Sequence, residues 1–542
     1  MVNKMELETD VLVIGGGLAG LCAAISSASD LSRTAIVTKT LVGGANTTSM
    51  AAGILSAVTA FGDPGDSTDL HFQDTLRGGC MINDKKLART MANDISKYFS
   101  RLVELGVEFE EENGEIKAYP IPGHSKPRSY YMKGKATALQ KVLRSTAEGL
   151  GVKFLERTMV TRIVKDGKRA VGAIGAKTDT GEPVVMKAKS IVVATGGSGE
   201  IYSKTLMPAG SSGYGCSLAF RAGAELVDME FVQFYPMMVA QEGLPKLFIE
   251  YSQLLRNGGD VLDEEGNSIF KKNGISEPWK MTRDAFSILI AKEMLSGGRE
   301  RKVFLDCRAI KDSDLEGNPA LRAAVKDLES RRVPLRTEKV SISPYAHFMM
   351  GGIKTDANGA TSVEGLFAAG ESVGGPHGAN RIGGNAFAAA IAFGFRSGMA
   401  ASMHASTVDK GDPGAFKADP EFPYQGSYGE GKVLAKDAIS TIRETMWKDV
   451  GIIRNATGLQ EALATFNRIR EDGIRTENSL ELTLVQMMLD MAEVTAMAAS
   501  LREESRGAHY RADFPKEDEK WMKRTVIALK EGNCEVAYIP VE

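Results

Sequence analysis

The stretch Asp10-VLVIGGGLAGLCAAISSAS, residues 10–29, followed by Arg33-TAIVTKT, residues 33–40, decides the fold. Val11 to Ile14 read as a buried strand, the glycines after them as a tight turn, and the small apolar run beyond as a helix. Residues 33–40 supply a second strand, so the chain opens with a β-α-β unit. Inside it Gly15-Gly16-Gly17-Leu18-Ala19-Gly20 is a G-x-G-x-x-G set between strand and helix. Gly15 permits the turn, Gly17 lets a pyrophosphate approach the backbone, and Gly20 packs helix on strand, while the helix N-terminus adds partial positive charge. The acid that usually meets a ribose about 20 residues on is missing, and Thr38-Lys39 stands there, which turns the reading away from NAD.

Two more segments have the same character. Ile191-Val192-Val193 runs into Ala194-Thr195-Gly196-Gly197, and Gly365-LFAAGE ends in Gly370 and Glu371. Three separated strand-plus-glycine segments suit a long ligand such as FAD better than a mononucleotide.

The rest of the chain limits the alternatives. Its 542 residues can form two or three domains, and a net charge of −3 argues against nucleic acid as a ligand. The start resembles no secretory signal, and Arg396 interrupts the best apolar run, Ala386 to Ala401. A cytoplasmic protein is therefore expected, reaching a membrane only through a partner. Cys22, Cys80, Cys216, Cys307 and Cys534 are too scattered for a disulfide framework or a metal site, so no iron–sulfur cluster is expected in this chain. Helical periodicity is expected near 85–106 and 134–150, strands between 152 and 193, mixed short elements over 231–344, and helices after a linker near 405–425.

Taken in order, IGGGLAG, VVATGG, MEFVQF, MTRDA, AHFMMGGI, GLFAAGE, HGANRIGGN and the C-terminal EESRGAHYRADFP resemble the flavoprotein-subunit family of fumarate reductase and succinate dehydrogenase, which includes L-aspartate oxidase. The resemblance implies an α/β fold: a Rossmann-like FAD-binding domain over 1–230 and 345–405, an inserted α+β capping domain over 231–344, and a C-terminal helical domain over 406–542. It implies hydride transfer between flavin N5 and a carbon beside a carboxylate, with a protein group exchanging the proton. Arg381 and His347 match substrate-carboxylate positions, where a guanidinium fork fits a carboxylate. Arg283 matches the proton donor of reduction, and an electrostatic clamp is its other reading. Arg256 matches one member of a proton-feeding pair, and Tyr235 falls at a further substrate position. On the cofactor side the resemblance adds Asn46, Thr47, Gly53, Asn385, Ala386 and Phe387 to Gly15, Gly17, Leu18, Ala19, Gly20, Thr38, Lys39, Ala194, Thr195, Gly196, Gly370 and Glu371.

Four departures carry information. Asn46 stands where many relatives attach FAD through histidine, so FAD is expected to be noncovalent, and reduction of an activated alkene or aspartate-type oxidation is favoured over succinate oxidation. Tyr235 replaces a histidine ligand, bringing one hydrogen bond, no positive charge and more bulk. Gln253 replaces the acid paired with Arg256, and Glu250 from a shifted register is the alternative. Tyr214 replaces an aspartate beside the cofactor. Gly383-Gly384-Asn385 after Arg381 is similar to the reductase and dehydrogenase branch rather than the oxidase branch. Fumarate or a related unsaturated carboxylate is then the expected substrate, and the expected electron partner is a separate iron–sulfur subunit. An oxidase of L-aspartate or another amino dicarboxylate, and a noncatalytic FAD electron-transfer protein within a larger complex, are the alternatives. The SRGAHYR segment reads either as part of the helical domain near the cap or as a solvated charged face.

Overall fold

The computed structural model describes residues 5–541 except 31, 45, 299 and 418–428; the expected linker near 405–425 lies partly outside the described residues. At its centre is a five-stranded parallel sheet in the order Leu366–Ala368, Ser190–Val193, Val11–Ile14, Thr34–Val37, Lys153–Leu155. Its middle strands are apolar on both faces and fully buried, as a parallel sheet covered on two sides requires. The helix Leu18–Ser29 follows the central strand, Val11–Ile14, and packs against the long helix Asn385–Thr407. A Cβ on Gly398 would fall 2.1 Å from the Ala23 carbonyl oxygen, so small residues let these two helices touch backbone to backbone. That explains the small-residue composition of 385–407.

Four further strands, Val232–Val239, Val340–Met349, Val303–Asp306 and Asp260–Leu262, form an antiparallel sheet with its own core of Val261, Leu305, Ile342, Phe286 and Ile290. The helix Arg283–Met294 lies on it. Further along the chain come three more long helices, Ala435–Asp449, Ala456–Asp472 and Ser479–Leu501, whose apolar faces join the core of the nucleotide domain. The chain then closes with a hairpin, Lys523–Lys530 with Asn533–Pro540, that adds to Leu226–Val227. This hairpin is β structure beyond the helices expected for the C-terminal region.

Two helices, Asn385–Thr407 and Ser479–Leu501, are long and apolar enough to cross a membrane by length and composition, and 61% of each apolar window is buried in the fold. Arg396 interrupts the first with a charge, and Asp490 and Glu493 interrupt the second. These two acids pair with Arg470 at 2.8 and 2.6 Å.

Candidate active site

The site forms where the antiparallel cap sheet meets the loop before the long helix. Val232–Val239 pairs with Val340–Met349 so that Gln233 faces Phe348 and Phe234 faces Ala346. His347 is left without an opposite number, the extra residue of a bulge, and a bulge re-aims the side chain it carries. Gln233 and Tyr235, two residues apart on one strand, share a face. Arg283 opens the helix Arg283–Met294, where the helix dipole disfavours a cation by about 0.3–1 kcal/mol, so its position calls for another reason than helix stability. Arg381 lies in the glycine-flanked loop that leads to Asn385.

These groups meet. Arg381 Nη2 donates to Gln233 Oε1 at 3.0 Å and lies 3.2 Å from His347 Nε2. Arg283 Nη1 lies 3.3 Å from the same His347 nitrogen and 3.4 Å from the same Gln233 oxygen. Burial and the two guanidinium groups hold His347 well below the usual histidine range, so it is neutral and accepts at Nε2. Arg381 is 5% exposed, and its Nε has no hydrogen-bond partner. Among the described residues no carboxylate forms an ion pair with Arg283 or Arg381. Two cations in one recess, sharing neutral acceptors, have the chemistry that suits an anion. Gln233 also donates to Asn380 Oδ1 at 2.6 Å and to the Arg381 carbonyl at 2.8 Å, while Asn380 donates to Asp284 Oδ1 at 2.8 Å. Gln233 and Asn380, which sequence reasoning missed, thus hold the arginine loop to the cap. The alternation of VQFY along one strand was the available signal for Gln233.

The structure does not bring every expected residue into this cluster. Tyr235 turns its hydroxyl away, donating to the Ile249 carbonyl at 2.9 Å, because a buried phenol must satisfy its O–H. Only its ring faces the cluster, edge to His347 at 5.5 Å, with the Arg283 guanidinium 5.4 Å from its centroid. Arg256 is exposed at the last position of the helix Tyr251–Arg256 and makes no hydrogen bond or ion pair to the cluster. Gln253 accepts from Asn257 through its carbonyl at 2.7 Å. Glu250 caps the same helix; burial first, and the Glu250 charge after it, keep the phenols of Tyr235, Tyr251 and Tyr131 un-ionised above the usual tyrosine range.

The nucleotide side is a glycine cradle. Gly15 has φ +119°, and a Cβ there would sit 2.2 Å from the Ala194 carbonyl oxygen, whereas one on Gly17 or Gly196 would meet nothing within 4 Å. Gly17 precedes the helix Leu18–Ser29 with no side-chain cap, leaving its first N–H groups to a ligand. A Cβ on Gly20 would fall 2.0 Å from Gly15 O, and one on Gly370 2.7 Å from Ala19 Cβ, so the first and third glycine segments touch. Ser372, also missed, ties the second to the third, accepting from Thr195 N and donating to Gly196 O, both at 3.1 Å. Glu371 accepts from Met349 N at 3.0 Å, linking the cradle to the strand that carries His347, and burial pushes its carboxyl up to about 7. An open groove lined by glycine backbone and a bare helix N-terminus fits the pyrophosphate of FAD.

The remaining expected cofactor residues have protein partners. Thr38 is buried at the end of its strand, with its methyl 3.4 Å from where a Gly16 Cβ would lie. Lys39 donates to Gly210 O and lies 4.6 Å from the centre of the Tyr214 ring, so the replacement at 214 stacks under a lysine; burial brings that lysine down to about 8. Asn46 caps the short helix Thr47–Met50, accepting from Ser49 N at 3.1 Å and from Gln140 Nε2 at 2.8 Å. Thr47 Oγ1 lies 3.5 Å from Met207 Sδ, and Gly53 has φ +79°. Asn385 is engaged by His71 Nε2 at 2.8 Å and donates to Thr75 Oγ1 at 2.9 Å, while Ala386 and Phe387, half-buried, form the first turn of the long helix. The SRGAHYR segment is no solvated face: Arg506, His509 and Arg511 are buried, because carboxylates and carbonyls take up every charge nearby. Among the described residues no group of three or more His, Cys, Asp or Glu could hold a metal ion.

Comparison with known proteins agrees with this construction. The FAD binding domain family matches residues 10–387, and the fumarate reductase flavoprotein C-terminal family matches 440–542. A CoM/CoB fumarate reductase chain of Methanothermobacter marburgensis is 33% identical, covering 96% of this chain and 97% of its own length. An L-aspartate oxidase of Agrobacterium fabrum is 31% identical over 95% of this chain and 92% of its own. A variant of the E. coli quinol fumarate reductase flavoprotein FrdA superposes with a TM-score of 0.88 at 25% identity, over 99% of this chain and 97% of that one. The chain belongs to the fumarate reductase and succinate dehydrogenase flavoprotein family that includes L-aspartate oxidase, and is an FAD-dependent oxidoreductase.

Proposed function

We propose that this chain is the flavoprotein subunit of a fumarate reductase-type enzyme, reducing the double bond of fumarate or a related unsaturated carboxylate. The observation that carries the reading is the pair of guanidinium groups, Arg283 and Arg381, converging on His347 Nε2 and Gln233 Oε1 with no carboxylate ion-paired to either among the described residues. A substrate carboxylate entering there gains charge-assisted, fork-shaped hydrogen bonds. FAD, when bound, supplies two-electron hydride chemistry. Hydride arriving at the alkene carbon farther from the clamped carboxylate breaks the π bond and drives its electron pair toward that carboxylate. Arg283 and Arg381 then stabilise the charge as it develops, the condition under which fixed cations accelerate a reaction. The adjacent carbon takes a proton, and Arg283, at the lip of the cluster, is the donor we assign, with His347 held neutral beside it. Neutral His347 keeps both arginines in place without itself repelling them.

FAD is held noncovalently in this reading, since the Asn46 carboxamide offers no nucleophilic ring nitrogen and is engaged as a helix cap. With single, scattered cysteines in the chain, electrons are taken to arrive from a separate iron–sulfur subunit. The test is anaerobic: photoreduce the purified holoprotein, add fumarate and other enoates one at a time, and follow the return of the oxidised flavin's visible absorbance. Rapid reoxidation by at least one unsaturated acid is expected, and none by saturated acids. Peroxide formation from L-aspartate in air, with no reoxidation by any enoate, would replace this reading with the amino-acid oxidase one.

A further inference from the structure

The clamp and the wall beside it differ in chemistry. Arg283 and Arg381 both aim at one histidine nitrogen and one glutamine oxygen, so their donors converge on a slot for a single carboxylate. Beyond His347 the surface is aromatic. The Tyr235 ring, 1% exposed, lies 5.5 Å from the His347 ring and is covered by Phe248, which stacks on it at 4.0 Å between centroids and is 42% exposed. Tyr251 stands 6.0 Å from Tyr235 and spends its hydroxyl on the Met281 carbonyl at 3.2 Å. The Tyr235 hydroxyl is likewise spent on Ile249. Glu250, the cap of the neighbouring helix, acts electrostatically on Tyr235, Tyr251 and Tyr131 and would repel a second anion.

We propose that the substrate is an α,β-unsaturated monocarboxylate whose far end is uncharged and apolar or aromatic, with its carboxylate between Arg283, His347 and Arg381 and its tail toward the exposed Phe248 ring that covers Tyr235. This rests on the enoate-reduction reading above and narrows it. A flat tail gains the burial and ring contact that Phe248 offers, whereas the second carboxylate of fumarate meets the filled space at Tyr235 and a like charge.

The experiment compares fumarate, crotonate and trans-cinnamate as oxidants of the photoreduced holoprotein at equal, subsaturating concentration, in the wild type and in Tyr235→His and Tyr235→Phe. In the wild type at least one monocarboxylate reoxidises flavin about tenfold or more faster than fumarate. Tyr235→His restores a ring nitrogen that can donate to a second carboxylate, and moves the ratio toward fumarate by about ten- to a hundredfold, the worth of one charge-assisted hydrogen bond. Tyr235→Phe keeps the wild-type preference, because the lost hydroxyl pointed away from the site. Fumarate as the best oxidant of the wild type overturns the proposal while leaving enoate reduction standing; so does an unchanged ratio in Tyr235→His with full flavin content. If that variant holds no flavin, the wild-type ratio decides alone. Failure of all three acids, with the rest of an enoate panel, removes the underlying reading and this one with it.

Discussion

Arg381 and Arg502 are both buried, yet their guanidinium groups end in opposite surroundings. Arg502, fully buried, meets Glu230 at 2.7 Å and Glu504 at 2.9 Å, and donates to the Trp521 and Lys523 carbonyls. Glu504 in turn takes Arg506 at 2.9 Å. Arg381 meets Gln233, a neutral His347 and a second cation, and one of its nitrogens meets nothing. The first cluster is closed: every charge is answered by a residue of the same chain, and it joins the C-terminal segment to Glu230 beside the cap strand. The second is open: its two cations share neutral acceptors, and Glu371, which acts on Arg381, makes no ion pair with it among the described residues. Burial of arginine is thus no sign of a site, and a missing carboxylate alone is none either, since among the described residues buried Arg454 meets only carbonyls and His509; what sets Arg381 apart is a second cation, Arg283, sharing the same neutral acceptors.

The largest expected effect comes from breaking the open cluster. Arg381→Met removes two charge-assisted hydrogen bonds to the bound acid, each worth about 1.5–3 kcal/mol, so kcat/KM should fall by about 10² to 10⁴. Because the lost cation has no ion-pair partner among the described residues, and Glu371, which acts on it, is itself raised by burial to about 7, stability should change little. Turnover and thermal unfolding of the FAD-loaded variant check both halves; a large loss of stability with activity per folded molecule preserved would show that Arg381 is structural.

The closed cluster should answer in the reverse way. Glu504→Gln leaves Arg502 with Glu230 alone and Arg506 with Glu517 alone, at a cost of about 1.5–3 kcal/mol for the weakened charge-assisted hydrogen bonds. Denaturant unfolding should show this loss, with kcat of the remaining folded enzyme within about twofold of wild type. If activity falls while stability does not, the two clusters do not differ as described.

Half-satisfied groups test the intermediate case. His71 is fully buried behind the arginine loop, with Nε2 on Asn385 and Nδ1 on nothing, and burial brings it down from 6.5 to about 4. Between those values the unfolded chain binds the proton and the folded one does not, so stability rises with pH through this window and is lost as pH falls through it. The shift corresponds to about 3 kcal/mol. His71→Gln keeps a donor for Asn385 and should flatten the slope between pH 6.5 and 4 by one proton; an unchanged slope would mean that His71 is charged in the fold.

Much of this was legible in the sequence because backbone and chemistry coincide there. The opening glycines can serve only a strand, a turn and a helix, and residues 283, 347 and 381 meet because strand, helix and loop converge on one recess. What stayed hidden depends on orientation. Nothing in QFYP says that the phenol turns its oxygen toward Ile249, since that choice depends on a carbonyl 14 residues away. Nothing in AHF announces a bulge, which arises from pairing with another strand. The charges of SRGAHYR left a solvated face open because their burial depends on packing: Arg506 pairs with nearby Glu504 and Arg511 with Asp513, while His509 meets Arg454 from a distant part of the chain.

The smallest effect concerns a group that is closed in every direction. The Asn46 carboxamide accepts from Ser49 and Gln140 and donates to the Gly44 carbonyl at 3.2 Å, so it resembles Arg502 in miniature rather than Arg381. Its loss should therefore be felt in stability, not chemistry. Asn46→Ala removes a helix cap, worth about 1 kcal/mol, and should leave turnover within about twofold. Acid precipitation of the wild type should release all of its FAD into the supernatant, since no ring nitrogen at 46 can bond to the flavin. Yellow precipitate from wild type and Asn46→Ala alike would mean that another residue holds the flavin covalently, and the case for reduction over succinate oxidation would lose its support.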